Sequence, residues 1–173
     1  MSDTHNLTYY IDRFSGNASV FENLARGVSD EQSRWKPSPD KWSLLEVVNH
    51  LYDEERDDFR FRLDSLLHRP EQKWPPIDPP GWAVARKYNE RELNESLERF
   101  LAERRKSIQW LKELKEPRLE NEYDHPQGRL SAGDLLASWL AHDFLHIRQM
   151  TRLHWQYLNS ICTPFKTAYA GQW

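Results

Sequence analysis

Two histidines, His142 and His146, stand four residues apart in the run His142-Asp143-Phe144-Leu145-His146. On a helix that spacing puts both imidazoles on one face, one turn apart. Such a pair can share a divalent ion, as the two histidines of a zincin helix do. It can equally be a pair at the edge of a core, since a chain with seven His produces such spacings by chance. Leu135, Trp139, Met150, Leu153 and Tyr157 recur around them at helical steps, so both fall inside an apolar stripe. A second pair, His50 and Glu54, lies one turn apart at the edge of the stripe made by Leu44, Val47, Val48, Leu51, Phe59 and Leu63, with Asp58 further along. An acidic side chain on a buried face is costly unless it is paired or bound to a cation. A third imidazole from a neighbouring helix would complete a three-His site with an open position. The competing reading assigns Glu54, Glu55 and Asp58 to a solvated charge run, Asp53 to Asp58, and it fits Asp53, Glu55 and Asp57 best. Arg104 lies at the centre of the stripe of Leu93, Leu97, Ile108 and Leu111. It could neutralise Glu54, Asp58 or Asp143, or snorkel its head to water.

Four helices must position these groups. Leu7, Tyr10, Ile11, Phe14, Ala18, Phe21, Ala25 and Val28 predict an amphipathic helix over roughly residues 6–27, ended with the help of Gly27. Ser29 with Gln32 reads as a capping box for a short turn, and Ser43 with Glu46 as a second one, opening a helix that runs to about His68. Residues 70–82 hold five of the ten prolines together with Trp74 and Trp82, which predicts an ordered loop. The third helix runs from about Lys87 to Lys115, stopped by Pro117; residues 118–130 are irregular or briefly extended. Ser131 with Asp134 starts the fourth helix, ending near Leu158, and Pro164 and Gly171 break the tail. The expectation is an all-α four-helix bundle. The long 69–88 link could be a crossover, so up-down-up-down order is not forced.

The 173 residues fit one domain, 1–173. Leu occurs 21 times against ten for Val and Ile together, which favours helices over strands. A net charge of −3 argues against a broad nucleic-acid footprint. A lone Cys162 excludes an internal disulfide and fits a reducing cytoplasm. The start, MSDTHNLTYYIDRF, lacks the order of a signal peptide, and no run reaches the ~20 apolar residues of a membrane span. A second apolar face on the fourth helix, Leu140, Phe144, Ile147, Thr151, Trp155 and Leu158, needs a cover. A two-fold homodimer would supply it; so would Pro164-Phe165 and Tyr169 folding back within one chain.

Trp35-Lys36-Pro37, then Lys41 to Leu51 (KWSLLEVVNHL), then His142 to Gln149 (HDFLHIRQ), resembles the DinB-like superfamily in nearly the whole order of elements. That group includes YfiT-like metal-dependent proteins and the bacillithiol and mycothiol S-transferases. The resemblance implies a bundle in up-down-down-up order, often dimeric. It also implies a divalent metal held by three histidines, which map to His50, His142 and His146. Zinc or nickel suits three imidazoles, as do copper or iron. The expected function is a metal-dependent thiol S-transferase or hydrolase acting on a small electrophile, with a low-molecular-weight thiol as candidate cosubstrate. In such a site a coordinated water or thiol is strongly acidified. Glu54 is the candidate catalytic base or fourth ligand, or else the group that orients His50. The rival class is a non-enzymatic metal-binding bundle in a stress response or as a binding module. A closed four-ligand site would favour that class, whereas a pocket opening onto the metal past Trp74, Trp82 or Trp173 would favour the enzyme.

Overall fold

The computed structural model describes residues 7–126, 128–171 and 173; the expected first helical position, residue 6, lies outside them. Helix α1 spans Leu7–Ala25 and buries Phe14, Asn17, Phe21 and Ala25, one residue per turn. Gly27, at φ 80°, turns the chain out of it. A short helix α2, Asp30–Arg34, is capped by Ser29, whose hydroxyl accepts from the Gln32 amide. Ser43 and Glu46 form a full capping box at the start of α3, Leu44–Asp53. The same rod continues through a π-helical turn, Glu54–Phe59, into α4, Arg60–His68. Helix α5, Pro79–Ala85, sits within the long link, with Asp78 accepting from the Gly81 amide at its start. A Cβ at Gly81 would lie 2.0 Å from the Asp78 carboxylate, so any other residue there displaces this cap. The third long helix, α6, spans Leu93–Glu113, six residues later than the periodicity suggests, because Lys87 adopts φ 52° and breaks the helical path. A two-stranded antiparallel hairpin, β1 Glu122–His125 and β2 Gly128–Ser131, leads into α7, Ala132–Ile161, through the Ser131–Asp134 capping box.

Side-chain contacts between the long helices fix their directions. Phe21 packs on Phe100 and Phe14 on Arg104, so α1 and α6 are antiparallel. Phe14 meets Trp139, Asn17 meets Asp143 and the Leu24 carbonyl meets His154, so α1 and α7 are parallel. Asn49 reaches Ser96, Glu55 reaches Arg104 and Arg60 reaches Ser107, so α3–α4 and α6 are parallel. The order is therefore up-down-down-up, and the 69–92 segment is the crossover that joins two parallel helices. It is tied down at both ends: Trp74 stacks on Tyr123 of the hairpin at 3.9 Å, and buried Tyr88 donates its hydroxyl to Asp53.

The core is split in two. One apolar cluster gathers Phe21, Leu45, Val48, Leu97, Phe100 and Met150, and the other Phe14, Phe59, Leu63, Leu111, Leu136 and Trp139. Between them lies a buried polar layer with the guanidinium of Arg104 at its centre, held between the rings of Phe14 and Phe100 at 4.9 and 5.3 Å. Among the described residues no helix is long and apolar enough to cross a membrane.

Candidate metal centre

His50 stands in the last turn of α3, whose register the Ser43–Glu46 box fixes, and His142 and His146 stand one turn apart on α7. Because these two helices run antiparallel, the three side chains meet in the space between them. Their Nε2 atoms converge: His50 to His142 at 3.2 Å, His50 to His146 at 3.1 Å, and His142 to His146 at 3.0 Å. Burial drives the His50 pKa down to about 3, with His146 adding to the shift. Burial likewise lowers His142, with His146, His50 and Arg104 contributing, and lowers His146 against the opposing pull of Gln149 and Asp143. All three rings are therefore neutral at pH 7.

That neutrality makes the arrangement informative. Each Nε2 of a neutral imidazole is either a donor or an acceptor. Among three mutually touching atoms at least two are alike, so at least one of the three contacts sets hydrogen against hydrogen or lone pair against lone pair. A cation shared by three lone pairs removes the conflict. His146 is already in the required tautomer. Its Nδ1 lies 2.7 Å from the Gln149 Oε1, an atom that only accepts, so Nδ1 carries the hydrogen and Nε2 the lone pair. These three donor atoms satisfy the spacing of a metal-ligand set, and among the described residues that set contains no fourth member.

Glu54 lies on the other side of the His50 ring. Its Oε1 is 3.8 Å from Nδ1, and both atoms are buried without a hydrogen-bond partner. Burial, reinforced by neighbouring Asp58, pushes the Glu54 carboxyl up to about 8. Burial also raises Asp58, which has Arg62 at 2.6 Å, poorly aligned for a hydrogen bond. Glu54, Glu55, Asp58 and Phe59, at positions i, i+1, i+4 and i+5 of the π-helical turn, all lie on its buried side.

The polar layer sits immediately beneath. Arg104 donates two bonds of 2.7 Å to Asp143 and one of 2.8 Å to Glu55. The Trp139 indole donates to Glu55 at 3.0 Å and the Asn17 amide to Asp143 at 3.1 Å. Arg104 thus has Asp143, one of the three expected partners, together with Glu55, which the charge-run reading had assigned to solvent; Glu54 and Asp58 are not its partners. Asp53 departs from that reading too: it is buried and receives Tyr88 and Arg86. Asp57 is half-buried between Arg56 and Arg86.

Two cavities flank the histidines. One, of about 600 Å³, is lined by Leu145, His146, Arg148, Gln149, Arg152 and Trp173. The other, of about 390 Å³, lies on the side of Trp42, whose ring packs 4.7 Å from that of His50. Of the three tryptophans expected at an opening, Trp173 is there. Trp74 is stacked on Tyr123 and Trp82 lies under Arg86 at 4.3 Å. Trp42, Gln149 and Arg152 are additions. Gln149 follows His146 by three residues, a helical spacing that could have identified it.

The fold is that of a known structure. YfiT from Bacillus subtilis, described as "a probable metal-dependent hydrolase with an unusual four-helix bundle topology", superposes with a TM-score of 0.78 at 17% identity, over 91% of this chain and 90% of that one. A search of curated proteins finds no match. A family model of the DinB superfamily aligns to residues 13–150, most of the chain, and the protein belongs to that superfamily.

Proposed function

We propose that this protein is a divalent-metal-dependent enzyme, a single DinB-like domain over residues 1–173, that activates a small nucleophile against a small electrophilic molecule. The observation that carries this reading is the convergence of three neutral imidazoles beside a cavity, with three donors where a closed structural site takes four. His50, His142 and His146 would hold the ion, zinc or nickel by donor type. When bound, it supplies the charge that acidifies a water or a thiol near neutral pH. The chain's own residues do the rest. Gln149 fixes the His146 tautomer, Glu54 faces the His50 Nδ1 at 3.8 Å, and Trp42 and Phe59 wall His50 and His142 from solvent. Glu54 in this reading is a positioning residue that acts through His50.

The nucleophile is a water, as in a hydrolase like the one YfiT is described to be, or a low-molecular-weight thiol, as in an S-transferase. The test is a screen of thiols with model electrophiles on untagged protein, before and after chelation and after reloading with zinc or nickel. Turnover that is lost on chelation and restored by metal is the expected result. Dependence on added thiol separates transferase from hydrolase. Metal uptake without turnover of any electrophile would return the bundle to the class of metal-binding modules. The exposed apolar residues of α7 further support a homodimer, and the lone Cys162 a reducing cytoplasm.

A further inference from the structure

Arg148, Gln149 and Arg152 follow His146 on α7 and form the rim between the two cavities, Gln149 and Arg152 lining both. Arg148 and Arg152 are exposed and stand one turn apart, a spacing at which like charges repel. Elsewhere around the site the arginines are matched: Arg56, Arg60, Arg62, Arg86 and Arg104 each hold a carboxylate. Among the described residues Arg148 and Arg152 hold none, and neither cavity is lined by any acidic side chain. The Gln149 Oε1 is committed to His146, which leaves its NH2 group as a donor on the same rim. Lys41 stands across the smaller cavity, already paired with Asp40 at 2.8 Å. The rim thus presents cationic and amide donors with no carboxylate side chain to meet them, beside the only converging imidazoles among the described residues.

We propose that the small molecule served by the three-His centre carries an oxyanion, a carboxylate or a phosphate, which Arg148 and Arg152 hold with the Gln149 amide while its other end faces the histidines. The fork of a guanidinium matches a pair of oxygens on either group. The inference rests on the metal reading only for where the far end of the ligand lies; the anion subsite stands without it.

The test therefore has two arms. In the first, chelated protein is titrated separately with inorganic phosphate and with succinate, and the indole N–H signals of Trp42 and Trp173, which line the two cavities, are followed by NMR. A saturable shift that weakens with salt and vanishes in the double variant Arg148→Gln with Arg152→Gln supports the subsite, and the tighter of the two anions names the oxyanion. No saturable shift, or one unchanged in the double variant, overturns it. In the second arm, metal-loaded protein is titrated calorimetrically with 3-mercaptopropionate and with its neutral analogue 3-mercapto-1-propanol. The anionic thiol should bind about tenfold tighter, and the double variant should lose that preference while binding the neutral thiol as before. Equal affinities in the wild type overturn the proposal. Failure of the protein to take up metal overturns the proposed function instead and leaves the first arm to decide the subsite.

Discussion

Replacing His146 by alanine removes a lone pair and abandons the Gln149 contact in one step. Metal occupancy of untagged protein should fall sharply in His146→Ala, and equally in His50→Ala and His142→Ala; full occupancy in any of them would overturn the ligand set. Gln149→Ala leaves the three imidazoles in place but frees the His146 tautomer, and should weaken metal affinity roughly 10–100-fold, read by competition with a chelator. Glu54 gives a pH prediction. Its folded pKa of about 8 lies above its ordinary value of 4.5, so between those limits the folded state binds a proton that the unfolded state has released. Stability then falls as pH rises through that window. Metal-free wild type and Glu54→Gln should have similar denaturant midpoints below pH 4.5, and by pH 8–9 the variant should be the more stable, by an amount on the order of a few kcal/mol. Parallel pH curves for the two proteins would show that the carboxyl is solvated.

At the scale of elements, the helix starts were legible because capping chemistry is local. Ser43 with Glu46 and Ser131 with Asp134 form complete boxes where the sequence announces them, and Ser29 caps its short helix. The π-helical turn was not legible. Its sequence, Glu54 to Phe59, reads as a polar run, and nothing in it announces the wider backbone path. By the helical period Glu55, four residues after Leu51 and four before Phe59, stands in the apolar stripe, and it lies buried at the centre of the bundle. The hairpin and the later start of α6 were hidden for a similar reason: both depend on backbone angles, such as Lys87 at φ 52°, that residue type does not announce. The inward placement of His142 and His146 was legible because their neighbours carry the helical period, and their meeting with His50 was what the family resemblance implied. Of the partners of Arg104, Asp143 was legible through its place next to His142; Glu55 was assigned to solvent with its charged neighbours, although its spacing from Leu51 and Phe59 places it inward. The lattice ties all four long helices together through Asn17, Glu55, Arg104 and Asp143. Arg104→Leu leaves two buried carboxylates without their cation and should cost on the order of 3–5 kcal/mol in a denaturant titration. A neutral or stabilising result would mean that the layer admits water.

At the scale of the whole molecule, the described residues leave one face of α7 uncovered. Of the six residues on its second apolar face, Leu140 is buried in the core and Ile147 packs against it. Phe144 remains 48% and Leu158 49% exposed, with Ile161 at the edge of the same face 57% exposed. The described tail residues do not close over them: Phe165 and Tyr169 point to solvent, Thr167 bonds Asn159, and Trp173 turns onto Trp155 at 5.8 Å. This removes the intramolecular cover expected of Phe165 and Tyr169 and leaves a second copy as the cover we propose, with the same face meeting itself about a two-fold axis. Because Trp155 is engaged by Trp173, the cleaner disruption is Phe144→Glu with Leu158→Glu. Both sites are half-exposed in the single chain, so their substitution should spare the fold. In sedimentation the wild type should run as a dimer and the double variant as a species of half the mass, with helical circular dichroism unchanged. A wild type that sediments as a monomer at high concentration would end the dimer proposal, and so would a double variant that stays dimeric, since the contact would then lie on another face.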